Sequence, residues 1–397
     1  MRKTVLTTLI ILVTAFSSLP AQNNEANEAY IKAMTTSDVA QRAKLFKAYL
    51  TKYAGKGTQY ENYVNAELCF INYPGKTPRE TIEYGEKALA LGGLDNFYKC
   101  RAYLTISGIY SQLGQNLEKA KSYALNAIQI AKASKDNNDG SAATPAQWNQ
   151  LLGAGYYTQG LALEKAKDFR GAVDPYISSY NILKNKQIVN SLKKMGKSLY
   201  DFKFYNEAEK ALKISSSVLK DFGSYALYAK SLYRNGKKEE ALKNFKIAYM
   251  KEKSGEIAYN IGIILAGKAK RDPSVSNEAI DFLLEASFLS PAHSKKALEL
   301  AENLFFVANK DLKYNEKVKE LVDRNKKLGE LTNAFNDKFG EKDEEDLTDN
   351  EKKEMKTILA NIDAEKKAIE KLDTETKAAL EKFKTLIERT KRRLGIS

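Results

Sequence analysis

The sequence predicts an all-α fold, a solenoid of stacked helix pairs followed by a hairpin of two long helices. Three observations predict it. The stretch Val189–Ala248 repeats its own apolar pattern at a period of about 34 residues. Prolines and glycines are few, 7 and 22 in 397 residues, and period-2 strand patterns are scarce. After Pro291 the repeat fades, and from Met355 the apolar positions follow a heptad.

The repeat is plainest in two consecutive copies. In the second, Tyr225, Tyr228, Ala229 and Leu232 share one helical face, Gly236 breaks the helix, and Ala241, Phe245 and Ala248 form the next stripe. The first copy carries Leu192, Met195, Gly196 and Leu199, then Tyr205, Ala208, Leu212 and Ser215. Small residues let the two helices of a copy approach closely, and large ones wedge between copies. One copy cannot bury its apolar face alone, so copies must stack. This pattern resembles the tetratricopeptide repeat, and the resemblance spans Asn24–Pro291. It implies a right-handed superhelical solenoid whose first helices line a concave face.

Taken in order, the chain opens on Arg2 and Lys3, then an apolar run Val5–Phe16 and small residues up to Ala21. That is a cleavable export leader over residues 1–21; the apolar run is too short to span a bilayer comfortably. No cysteine follows it, so the expectation is a periplasmic or secreted protein that is not a lipoprotein. The solenoid is expected over 22–310. Its first pair runs from Asn24 to about Tyr53 and is broken by Gly55-Lys56-Gly57. The second covers Tyr60–Leu91, with a turn at Pro74-Gly75 and Pro78 at a helix start, where a missing N–H costs nothing. The third spans Phe97–Ala133, and a polar loop, Ser134–Pro145, precedes the fourth, which carries Tyr156, Gly160, Phe169 and Tyr176. The two copies described above are fifth and sixth. The seventh starts at Ala258, has a turn enlarged around Arg271-Asp272-Pro273-Ser274, and ends at Pro291. Ala297, Ala301, Leu304 and Phe305 suit a capping helix.

Residues 311–397 are expected to form the long helices. Val318, Leu321, Leu328, Leu331 and Phe335 mark one stripe. An acidic turn lies near 341–350, and Thr348 with Glu351 makes a capping box. The heptad then runs through Met355, Ile358, Ile362, Ile369, Leu372, Ala379, Phe383 and Leu386. Glu365 and Thr376 at seam positions favour an intramolecular hairpin over the alternative, a homodimer through the last helix.

Composition narrows function. The formal net charge is +14, and removal of Arg2 and Lys3 leaves +12. In an exported protein such a surface meets anionic lipid, glycan or acidic protein rather than nucleic acid, or is simply solubilising. The single histidine, His293, cannot build a histidine-rich metal site. Gly75-Lys76-Thr77 lacks the earlier glycine of a phosphate loop, since Phe70 stands there, and Gly153-Ala154-Gly155 lacks the third glycine of a dinucleotide fingerprint. No catalytic residue, metal or cofactor is assigned. Cys69 and Cys100 are left as a disulfide or as two buried thiols.

The resemblance places Tyr157, Lys193, Lys197, Tyr200, Lys230, Tyr233 and Arg234 on the inward face of the first helices. Cations pair with carboxylates, and tyrosines give flat contact area with a hydroxyl. Some tetratricopeptide domains clamp a C-terminal carboxylate with Lys, Asn and Arg; Lys193, Lys197 and Lys230 are similar in role, but the asparagines are absent. The leading expectation is a non-enzymatic scaffold that binds an acidic or extended segment of a protein partner, within an envelope or secretion assembly. The alternatives are an envelope-binding module with peripheral contact to anionic lipid or glycan, and an accessory subunit of an enzyme or secretion complex.

Overall fold

Helix starts and stops follow the punctuation of the sequence. The computed structural model describes residues 21–136 and 143–396, with 17 α-helices and no strand among them. The expected leader, but for Ala21, lies outside the described residues, as does the middle of the polar loop. Contacts divide the chain after Lys220 into two compact units.

The first unit holds five helix pairs. They are α1 (Ala21–Thr35) with α2 (Val39–Tyr53), α3 (Glu61–Phe70) with α4 (Pro78–Leu91), α5 (Asn96–Leu113) with α6 (Leu117–Asp136), α7 (Pro145–Lys165) with α8 (Phe169–Leu183), and α9 (Lys186–Asp201) with α10 (Tyr205–Leu219). Starts are capped by side chains: Asp38, Asp95, Asp168 and Asn185 each accept a first-turn N–H. Thr77 and Thr144 make full capping boxes ahead of Pro78 and Pro145. Neighbouring pairs stack first helix on first helix (α3 on α5, α5 on α7) and second on second (α8 on α10). That is the solenoid arrangement the repeat requires.

Packing explains the small residues. A Cβ added to Gly196 would stand 2.5 Å from Leu212 Cγ, and one on Gly160 would stand 3.0 Å from the Tyr176 ring. Cys69 and Cys100 are buried free thiols, so the disulfide alternative is set aside. Burial pushes both up to about 12, which keeps them protonated and inert. Lys76, from the rejected phosphate-loop tripeptide, donates to the carbonyls of Cys69 and Ile71 at 2.8 and 2.7 Å and so closes the end of α3.

The turns inside the fourth and fifth pairs share one hydrogen-bond set. The N–H groups of Ala166, Lys167 and Asp168 bond to the carbonyls of Ala162, Glu164 and Leu163; those of Phe202, Lys203 and Phe204 bond to Ser198, Tyr200 and Leu199. The middle residue is left-handed in both, with φ +62° at Lys167 and +66° at Lys203. Lys184 and Lys220 take the same conformation where α8 and α10 end. An L-residue there costs about 1–2 kcal/mol, offset in part by a cation beside unpaired helix carbonyls.

The second unit begins with α11 (Phe222–Arg234) paired to α12 (Lys238–Lys251), and α13 (Gly255–Ala269) paired to α14 (Ser276–Leu289) across the enlarged turn, which contains a 3-10 turn at Pro273–Val275. Next comes α15 (Ser294–Ala308), with His293 at its start; His293 Nδ1 lies 2.8 Å from Ser290 Oγ. The long helices are α16 (Tyr314–Phe339) and α17 (Asp349–Leu394), which opens on the expected Thr348 and Glu351 capping box. The two pair within the chain.

The heptad stripe of α17 predicts an intramolecular hairpin, and in the structure it serves two partners. Positions up to about Thr376 face α16, with Lys338 on Glu354, Arg324 and Lys327 on Glu365, and Lys317 on Glu375. Beyond that, Ala379 and Phe383 join a core with Ile280, Leu283 and Leu284 of α14 and Phe306 of α15. Arg393 then pairs with the buried Glu285 at 3.0 Å, and Tyr249 donates to the same carboxylate. The reason is length: α17 measures about 69 Å and α16 about 39 Å, so the longer helix overruns its partner.

Candidate functional site

The seven sequence-predicted positions fall four in the first unit and three in the second. In the first, Tyr157 on α7 is half-buried with its ring 5.8 Å from Tyr176. On α9, Lys193 is half-buried, Lys197 is exposed and bound to Asp201 at 2.8 Å, and the Tyr200 ring lies 5.4 Å from Tyr205. In the second unit, Lys230 on α11 pairs with Glu256 at 2.7 Å, Tyr233 is half-buried, and Arg234 is exposed at the last residue of α11. Lys197 and Lys230 therefore already hold a carboxylate of their own chain. An arriving carboxylate would exchange with it rather than fill an open position.

The first unit carries a second set of side chains that the sequence reading did not single out. Tyr30 on α1 stacks on Tyr60 at 4.3 Å, Tyr60 meets Tyr63 of α3, and Tyr63 packs edge-on against Tyr98 of α5 at 4.9 Å. Phe97 then meets Trp148 of α7 edge-on at 5.8 Å. All of these but Trp148 are half-buried. The tyrosines form one run across the first helices of the first three pairs, and Phe97 with Trp148 adds a second contact between the third and fourth. Tyr30, Tyr63 and Tyr98 stand 33 and 35 residues apart, so each pair contributes one at the same place. That spacing was the available signal.

Polar groups fix the run in place. Tyr98 donates to the buried Glu67 at 2.7 Å. The Tyr63 hydroxyl lies 3.2 Å from the Asp95 N–H, which donates to it. Burial first, and the Glu67 charge second, push the Tyr30 and Tyr98 hydroxyls up from their ordinary value. Both remain hydrogen-bond donors at neutral pH.

Arg101 completes the site. It lies one turn beyond Phe97 and Tyr98 on α5, half-buried, its guanidinium 4.0 Å from the Phe70 centroid, 5.6 Å from Phe97 and 5.8 Å from Tyr98. Among the described residues no carboxylate pairs with it. A guanidinium held by ring faces keeps its in-plane N–H groups for an oxygen ligand. Neither its type nor its position in the repeat singled it out in the sequence. Among the described residues, no group of three or more His, Cys, Asp and Glu side chains is placed to hold a metal ion, and no helix is long and apolar enough to cross a membrane.

No family model matches the chain, and no curated protein matches it. Similar solved structures exist. YrrB, described as a TPR protein with an unusual peptide-binding site, is 18% identical over 56% of this chain and 97% of its own, with TM-score 0.33. A tetratricopeptide repeat protein from Parabacteroides merdae is 14% identical over 70% and 98%, with TM-score 0.34. The TPR2AB domain of yeast Sti1, in its pHSP90 complex, is 15% identical over 68% and 98%, with TM-score 0.25. At such likeness, the helical-repeat architecture rests on this chain's own helices and periodicity.

Proposed function

We propose that the protein is a non-enzymatic scaffold of the tetratricopeptide type that holds an extended, carboxylate-bearing segment of a protein partner on the first-helix face of its first unit. The observation that carries this reading is Arg101, stacked on Phe70 within a run of tyrosines and without a carboxylate of its own. Rings offer contact area at low entropy cost, and the guanidinium supplies direction. Lys193 and Lys197 extend the cationic character along α9, which also carries Tyr200, and Tyr157 on α7 adds a half-buried ring. Lys230, Tyr233 and Arg234 give the second unit a smaller set of the same kind. The leader pattern, Arg2 and Lys3 ahead of Val5–Phe16, supports export, so the partner belongs to an envelope or secretion assembly.

The test is site-specific photocrosslinking in the native envelope. A photoreactive residue at Tyr63 is expected to capture a discrete protein, and one at Lys213, exposed on the second helix α10, is not. Arg101→Gln should lower capture from Tyr63 by about tenfold, the loss of one charge-assisted contact. Equal capture from Tyr63 and Lys213, or capture unchanged by Arg101→Gln in a folded protein, would overturn the reading.

A further inference from the structure

We propose that the turn edge carrying Phe169, Phe202 and Phe204 is a docking surface for an anionic lipid bilayer, inserting its rings among the headgroups. This inference does not rest on the first-helix site. It begins from a comparison of two turns with the same hydrogen bonds. In the turn between α7 and α8 the three positions are Ala166, Lys167 and Asp168, and Asp168 caps α8 by accepting from the Gly171 N–H at 2.9 Å. In the turn between α9 and α10 the same positions are Phe202, Lys203 and Phe204. Phe204 makes no cap, and the two rings are 60% and 39% exposed. The turn at Asn235-Gly236-Lys237 repeats these hydrogen bonds and is uncapped too. What sets Phe202 and Phe204 apart is two large apolar groups exposed at one point, the kind of departure from local rules found at functional surfaces.

The tertiary structure enlarges the patch. The Phe169 ring lies parallel to Phe202 at 6.2 Å, and the Arg170 guanidinium stands 4.8 Å over Phe204. The acids nearby are engaged: Asp168 caps α8, Asp201 holds Lys197, and Glu207 holds Arg170 at 2.8 Å. Lys165, Lys167 and Lys203 are exposed, and among the described residues no carboxylate pairs with them. Three rings are thus framed by three unpaired ammonium groups.

That combination selects the occupant. Lysine is depleted in protein–protein interfaces relative to the rest of the surface. A bilayer interface accepts Phe below the headgroups and draws Lys to the anionic surface above them. The net charge of +14 acts in the same direction.

The test uses the full chain in vesicle flotation, with vesicles of phosphatidylcholine alone or mixed equally with phosphatidylglycerol. The key variant combines Phe202→Ala with Phe204→Asp. Those residues already serve the equivalent turn as Ala166 and Asp168, so the fold is kept, and an unchanged or raised Tm confirms it. Wild-type protein is expected to float with the anionic vesicles, and high salt to weaken this. The double variant should lose about tenfold in partitioning. Lys167→Gln with Lys203→Gln should lower the preference for phosphatidylglycerol. Absence of wild-type flotation overturns the proposal. So does a double variant that floats as well as wild type, because the attraction would then be charge alone. Capture of a protein lost only in the double variant, without flotation, would give the edge to a protein partner and overturn the lipid assignment.

Discussion

The helix pairs and the C-terminal hairpin are built from the same element and held by different forces. In the pairs, the contact line sets fully buried apolar side chains against small residues, as with Leu212 on Gly196 and Leu283 on Gly262. In the hairpin, α16 buries only Phe339 of its 26 residues, and the seam of α17 includes Glu365, held by Arg324 and Lys327 at 2.9 and 2.6 Å. Glu365 was expected to weaken that seam; the two cations on α16 answer it. A pair with neighbours on both sides has enough apolar partners to exclude water. Two helices alone do not, and a charge placed on their seam must be held by opposite charges.

Side-chain truncation should affect the pairs and the hairpin unequally. Phe245→Ala, in a helix pair, is expected to cost about 3–5 kcal/mol. Leu328→Ala, in the half-buried hairpin seam, is expected to cost about 1–2 kcal/mol, the value of a side chain only partly removed from water. Urea unfolding of both variants measures the difference, and equal losses would refute it. Next in size, Gly196→Ala forces Leu212 aside and should cost about 1–3 kcal/mol. The same substitution at Gly329, whose Cβ would meet nothing within 4 Å, should be neutral or stabilising.

A smaller effect of opposite sign is expected at Lys203, left-handed at φ +66°. Lys203→Gly should stabilise the first unit by about 1 kcal/mol, read as a rise in Tm. The Thr348 N–H, and then Lys342, hold the Glu351 carboxyl at about 2, against an ordinary 4.5. Because the folded value is depressed, this contribution is complete above 4.5 and is lost as pH falls towards 2. The Glu365 carboxyl is lowered in the same direction by Lys327 and Arg324. Amide exchange should therefore show the start of α17 and the hairpin seam loosening in that window, ahead of the Phe245 core. A hairpin no more acid-sensitive than the pairs would remove electrostatics from its account.

By itself the sequence determined that the chain is a series of helix pairs, because apolar spacing, prolines at helix starts and breaking glycines are local signals that each segment obeys alone. Gly160 and Gly196 were legible as close-approach positions for the same reason. What each exposed side chain faces was not legible, since that depends on residues brought near by stacking. Lys197 is one turn from Asp201, yet Lys230 finds Glu256 on the next pair, 26 positions on. Tyr30, Tyr63 and Tyr98 recur near the repeat period, and only the stacking of first helices turned them into a half-buried run with Arg101 beside its last ring. Likewise one heptad stripe on α17 could not say that it would divide between α16 and the α14–α15 face. Periodicity fixes which side of a helix is apolar; the partner that covers it is set by length and by the shape of what lies alongside.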